Sequence, residues 1–256
     1  MARKAVVLIT GASKGLGLAA TKTLLAEFNA NVVALSRSET IELTELKQSH
    51  SNSLLITKGD VTDKDVVAHA VDSAVKIYGH LDALILNAGI LTPLGKVEEV
   101  PLEGWRSHFD VNFFSLITAV QAGLPFLRQS ELGGRIVFVS SGSATKGTAT
   151  MGPYNAGKAA MNSLCRTLGE EEPEVISVAL RPGTVDTQMQ TQIRELGADA
   201  MSEKVHKYFM DLQTNQKLIK PEVSGYVMAA LALKAPQAMS GQFISYDSED
   251  CALFRK

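Results

Sequence analysis

The chain has 256 residues, 45% of them hydrophobic, and carries 25 basic against 27 acidic side chains for a net charge of -2. That length suits one α/β unit able to bury most of the surface its unfolded chain exposes. The balanced charge, without a run of like charges, speaks against a nucleic-acid partner, and no segment reads as the roughly 20 apolar residues of a membrane span.

Short apolar runs rich in β-branched residues recur along the chain at 5–10, 31–36, 54–57, 81–86, 135–140 and 175–180, most of them followed by a stretch with helical spacing. This alternation predicts βαβ units. The runs are apolar on both faces, as strands of a parallel sheet covered by helices on each side should be. A last run at 242–246 completes the expected fold, a Rossmann-type doubly wound parallel sheet of seven strands within one domain spanning 1–256. The apolar stretch behind the first four residues is too short for a secretory leader. Residues 186–220 are polar and weakly patterned, and they follow a strand's carboxyl end, where open α/β sheets bind ligands. A substrate lid over 186–215 is therefore expected.

Directly after the first strand stands TGASKGLG, opening an amphipathic helix. Gly11 can provide the sharp turn, and Gly15 and Gly17 let a phosphate-bearing ligand approach the helix start, whose N–H groups favour negative charge. Ser13, Lys14 and Leu16 belong to the same loop. An acid at the end of the second strand would bind the adenine ribose hydroxyls of NAD; here the residues are Ser36 and Arg37. A small hydroxyl and a guanidinium suit a 2'-phosphate, with Lys14 as a second positive charge, so NADP is expected over NAD.

Further on, Gly152 and Pro153 open a helix that sets Tyr154 and Lys158 at i and i+4 on one face. A phenol with an ordinary pKa near 10 becomes useful in proton transfer when a neighbouring positive charge stabilises its phenolate. Lys158 is placed to be that charge.

With GDVTD, NAG, VNFFS, VSS and RPGTVDT added to these two constellations, nearly the whole chain resembles the short-chain dehydrogenase/reductase family. The resemblance implies Tyr154 as general acid, Lys158 as its tuning partner and ribose ligand, Ser141 as hydrogen-bond donor to the substrate carbonyl, and Asn112 as a helix-kinking residue supporting a proton-resupply chain. Ser140 and Ser143 compete for the serine role, and the spacing to Tyr154 favours Ser141. It also implies Asp60 and Val61 at the adenine, Asn87, Ala88 and Gly89 along the cofactor floor, and Pro182, Gly183, Val185 and Thr187 around the nicotinamide amide. A narrower similarity in the second half, ending in SGQFISYD, is to sepiapterin reductases and benzil reductases. In the sepiapterin reductases an acid near the C-terminus anchors the amino-pterin ring, and Asp247 is the matching position, unless it caps the last strand or meets another subunit. Met189, in the expected lid, is a further substrate-contact candidate.

These readings combine into an NADPH-dependent carbonyl reductase whose favoured substrate is a 1,2-diketone such as benzil. The alternatives are a sepiapterin-type pterin side-chain reductase, a non-catalytic NADP-binding redox sensor, and an NAD-dependent secondary-alcohol dehydrogenase. The five histidines and two cysteines match no metal-ligand spacing. Cys165 and Cys251 read as reduced thiols of a cytoplasmic protein. Resemblance implies a homodimer, or a tetramer, formed by the long helices at 104–128 and 153–170.

Overall fold

The computed structural model describes residues 3–256. Seven parallel strands form one sheet: β1 (Val6–Thr10), β2 (Asn31–Ser36), β3 (Leu54–Lys58), β4 (Ala83–Leu86), β5 (Gly134–Val139), β6 (Val175–Arg181) and β7 (Phe243–Ser245). Their order is β3-β2-β1-β4-β5-β6-β7, so the chain reverses its direction of travel between β1 and β4. In open α/β sheets this reversal leaves a crevice at the strands' carboxyl ends.

Because strand side chains alternate faces, Val7 and Ile9 of β1 enter one core while Val6 and Leu8 enter the other. The first core is closed by α1 (Gly15–Ala26), α2 (Ile41–Ser49) and α9 (Pro221–Lys234), and the second by α3 (Lys64–Tyr78), α5 (Ser115–Leu127) and α6 (Gly152–Glu171). This double coverage explains the uninterrupted apolar runs. α4 (Leu102–Phe109) joins α5 through a π turn at Asp110–Phe114, the helix irregularity expected at Asn112. The composite helix Leu102–Leu127 is long and apolar enough, by length and composition, to cross a membrane, a segment that the sequence reading had missed. In the fold its Leu116, Ala119, Val120 and Leu127 lie in the second core, while Leu102 and Phe114 remain exposed.

The other end of the sheet is knitted by Asp82. Its carboxylate accepts two hydrogen bonds from Arg3 at 3.0 and 2.8 Å, one from the Val6 N–H at 2.8 Å and one from the Ser130 hydroxyl at 2.5 Å. Its backbone joins β1 and β5, with the Asp82 N–H donating to Val6 and its carbonyl accepting from Arg135.

The segment expected to be an irregular lid is instead a helix pair, α7 (Gln188–Ala200) and α8 (Glu203–Thr214). Its two ends are clasped together: Val185 bridges Ile219, the Asp186 N–H donates to the Ile219 carbonyl at 2.8 Å, and the Ile219 N–H donates to Thr184 at 2.9 Å. Ile193 and Met201 pack with Leu91, Met151 and Tyr154 into a third, small cluster, with Met189 and Phe209 at its border.

Candidate active site

One cavity of about 780 Å³ runs along the carboxyl ends of the strands, from Ser36 and Asp60 at one extreme, past the glycine turn, to Ser141, Tyr154 and the lid helices at the other. The crevice of the strand-order reversal thus gathers residues that the sequence scatters over 200 positions.

The glycine turn is built for close approach. A Cβ on Gly17 would stand 2.2 Å from the Gly11 carbonyl oxygen and 2.7 Å from Asn87 Nδ2, so α1 can start against the sheet only with glycine there. Asn87 fixes this turn by donating from Nδ2 to the carbonyls of Thr10 and Gly11 at 3.0 and 3.1 Å, and the Ala88 N–H donates to Thr10 Oγ1. The N-cap residue of α1, Lys14, supplies no side-chain acceptor, and its first turn holds no acid. The unsatisfied N–H groups and positive dipole end therefore face the cavity ready for an anion.

Ser36 is buried at the end of β2, its hydroxyl donating to the Ser38 carbonyl, and Arg37 beside it is exposed. Arg37 and Asp60 stand 4.0 Å apart, and the Asp60 carboxylate also accepts from the Thr62 N–H and hydroxyl. Lys14 donates to Gln188 Oε1 across the cavity mouth, tying the glycine loop to the start of α7. Ser13, Leu16, Val61, Gly89, Pro182, Gly183, Val185 and Thr187 all line the cavity.

Tyr154 and Lys158 enter from the first two turns of α6, with Lys158 Nζ 5.7 Å from the centre of the phenol ring. Lys158 is buried and donates to the Val139 carbonyl at 2.7 Å. Burial pushes its pKa down to about 8. Burial also raises the Tyr154 pKa, and a hydrogen bond with Ser141 offsets only part of that rise. The lowering expected from Lys158 is not what governs the phenol here; desolvation sets the direction. The phenol consequently holds its proton at neutral pH, which is the state a proton donor requires.

Of the three neighbouring serines, Ser140 is buried and donates to Asn162 Oδ1 at 2.6 Å, and Ser141 meets Tyr154 in the cavity. The Ser141 oxygen also accepts from the Ser143 N–H at 3.1 Å. Asn112 is wholly buried behind the cavity floor, accepting from the Ile90 N–H and donating to the Ile90 carbonyl, each at 2.8 Å.

Two substrate candidates part company. Met189 lines the cavity, whereas Asp247 does not: it is exposed beyond β7, its carboxylate accepting from Ser245 and its carbonyl from Arg255. After Tyr246 the chain enters a short 3-10 helix, Glu249–Phe254, with Asp247 exposed just before it. Sequence reasoning passed over Gln190, which lines the cavity, lies on the buried face of α7 with Ile193, and has a buried Oε1 without a protein partner. It also gave His108 no role. With so few apolar positions in α7, the sequence carried no signal for Gln190, and none for His108.

A family model described as short chain dehydrogenase matches residues 5–197. The chain belongs to the short-chain dehydrogenase/reductase family. This short-chain dehydrogenase/reductase is 41% identical over 244 residues to an uncharacterized oxidoreductase of Schizosaccharomyces pombe, covering 95% of this chain and 96% of the relative. It is 36% identical over 253 residues to the (S)-benzoin-forming benzil reductase of Saccharomyces cerevisiae, covering 95% and 96%. A crystal structure of a Saccharomyces cerevisiae short-chain dehydrogenase/reductase superposes with a TM-score of 0.94 at 36% identity, covering 98% of this chain and all of that one. The protein is therefore an oxidoreductase of a family that uses nicotinamide dinucleotides. Its uncapped α1 terminus and the glycine-limited approach at Gly17 fit such a group.

Proposed function

We propose that this protein is an NADPH-dependent carbonyl reductase acting by preference on vicinal diketones such as benzil. The observation that carries the reading is the buried Tyr154 phenol, one helical turn from Lys158 and lining the lid end of the cavity together with Ser141. When bound, the nicotinamide supplies the hydride. Ser141 orients and polarises the carbonyl, Tyr154 delivers the proton to its oxygen, and Lys158 holds charge behind the phenol. The apolar lid residues Met189, Ile193 and Phe209 keep water from the reacting carbon. Gln190, on the buried face of α7 and lining the cavity, carries an amide Nε2 that can donate to the second oxygen of a diketone. The similarity to benzil reductase supports this substrate class. The pterin reading needs Asp247 at the cavity, and that residue lies outside it.

The preference for NADP rests on Ser36 ending β2 in place of an acid, and on Lys14, Lys22 and Arg37 outnumbering Glu42 and Asp60 along that edge of the cavity. The exposed Leu102 and Phe114 of the composite helix support a homodimer, or a tetramer, formed through the long helices. Two free thiols, both buried, are in keeping with a cytoplasmic protein.

The test follows oxidation of NADPH and of NADH with benzil, an aliphatic 1,2-diketone and sepiapterin. Benzil turnover with NADPH is the expected result; tight NADPH binding without any turnover would favour a redox sensor instead. Arg37→Glu is expected to weaken NADPH binding by about 10-fold to 100-fold, the worth of a charge-assisted contact, and to leave NADH binding nearly unchanged. Equal use of both cofactors by the unaltered protein would refute the reading of Ser36 and Arg37.

A further inference from the structure

His108 is fully buried at the end of α4, with its ring 6.1 Å from that of Tyr154 and edge-on to it. Its Nδ1 lies 2.9 Å from the Thr92 carbonyl and its Nε2 lies 2.6 Å from Asn112 Nδ2. These contacts leave one protonation state. The Ile90 N–H can only donate, so the atom of Asn112 facing it must be Oδ1, and Nδ2 must then give its two protons to the Ile90 carbonyl and to His108. Nε2 of His108 is therefore a bare acceptor. The Thr92 carbonyl can only accept, so Nδ1 carries the proton.

An imidazolium would set an N–H against the N–H of Asn112. The carboxamide could answer only by turning over, which would present its NH₂ to the Ile90 N–H and its oxygen to the Ile90 carbonyl. Both bonds that hold Ile90 would be lost together. Ile90 follows Gly89, where an added Cβ would lie 3.3 Å from Asn112 Oδ1 and 3.8 Å from Lys158 Nζ, so this stretch of cavity floor is wedged between Asn112 and the lysine.

We propose that His108 is a positioning residue whose unprotonated Nε2 locks the Asn112 carboxamide in the orientation that ties the cavity floor to Tyr154 and Lys158, and that protonation of the imidazole releases this lock. The inference rests on the catalytic reading of Tyr154 and Lys158 given above. The groups facing the imidazole agree with a neutral ring. α6 presents the phenol of Tyr154 and the cation of Lys158, and the segment before α4 presents only the Thr92 carbonyl. Burial is the largest influence and lowers the His108 pKa; the Thr92 bond opposes it, and the charge on Lys158 lowers it further.

Two variants and one spectrum test this. His108→Gln keeps an acceptor for Asn112 but cannot be protonated; His108→Phe keeps the ring and removes the acceptor. In steady-state reduction of benzil, or of whichever diketone the protein turns over fastest, His108→Phe is expected to lower kcat by roughly 10-fold to 100-fold, the scale of a small misplacement of reacting groups, with a smaller change in KM. His108→Gln is expected to retain most of kcat and to lose the highest ionisation on the acid limb of the pH profile. An acid limb in His108→Gln identical to the wild type's overturns the proposal.

Long-range nitrogen-proton spectra of the imidazoles in the cofactor-free protein give a readout independent of turnover and of whether the Phe variant folds. They should show His108 as the Nδ1-protonated neutral tautomer, and the Ile90 amide signal should move at the same pH at which that ring titrates. An Nε2-protonated tautomer, or a titration that leaves Ile90 unmoved, refutes it. Tyr154→Phe separates the two levels of argument: unimpaired turnover in that variant removes the catalytic reading itself, whereas an inactive Tyr154→Phe beside wild-type behaviour in both His108 variants removes only the positioning role.

Discussion

Tyr154→Phe is expected to lower kcat for carbonyl reduction by about 10²-fold to 10⁴-fold, the usual worth of a placed general acid, while leaving dinucleotide binding essentially unchanged. The phenyl ring would fill the same space beside His108 and Lys158, so the loss isolates the hydroxyl. Stopped assays of turnover and fluorescence titration of NADPH, run on the same preparation, check both halves. The pH dependence follows from the two ionisations on α6. Burial raises the phenol, so it keeps its proton through neutral pH, whereas Lys158 is brought down to about 8. The rate of reduction should therefore fall as pH rises through about 8, when the positive charge behind the phenol is lost. A rate independent of pH from 7 to about 9 would contradict that assignment.

Asp82→Ala is expected to destabilise the fold by about 3–5 kcal/mol, because it leaves the Val6 N–H, Ser130 and much of the Arg3 guanidinium without their common acceptor at a buried position. For a chain of this size that corresponds to a fall in Tm on the order of 10 °C. Burial alone would raise the Asp82 pKa, and it is the largest single influence; the bonds from Arg3, Ser130 and Val6 together outweigh it and hold the carboxyl below its ordinary value. A depressed folded-state pKa contributes stability above the unfolded value of about 3.9 and loses it as pH falls through the lower folded value. The variant should accordingly show a flatter acid side in its stability curve, measured by denaturant titration at several pH values. A wild-type acid limb in Asp82→Ala would mean that the network adds nothing. Since this knot lies at the amino ends of β1 and β4, away from the cavity, kinetic constants of the folded fraction should be preserved.

The sheet was legible because each strand is apolar on both faces and each is bounded by turn residues. The i, i+4 spacing of Tyr154 and Lys158 likewise survives translation into structure, since a helix fixes that geometry locally. The lid was not legible as helices: QMQTQIRELGADA offers few apolar positions, and α8 buries none of its residues fully, so the pair is held by its mutual contact and the small cluster under it. Asp247 lies outside the cavity for a different reason. A motif at a strand's end does not say which way the chain turns next, and here it leaves Asp247 exposed. The partnership of His108 with Asn112 and Ile90 depends on a π turn and on a contact across 22 residues, neither of which leaves a periodic trace.

The clasp between Val185 and Ile219 has a bearing on how such enzymes diversify. Because the excursion carrying α7 and α8 leaves and returns at one point, its ends are held together whatever lies between, and a change in its length adds little to the entropy of closing the loop. Selection can thus rewrite the wall that meets the substrate while β6 and the glycine turn stay in register. Exchanging the segment between the clasp residues with that of a relative should transfer preference among ketones and leave the affinity for the dinucleotide's adenine half where it was.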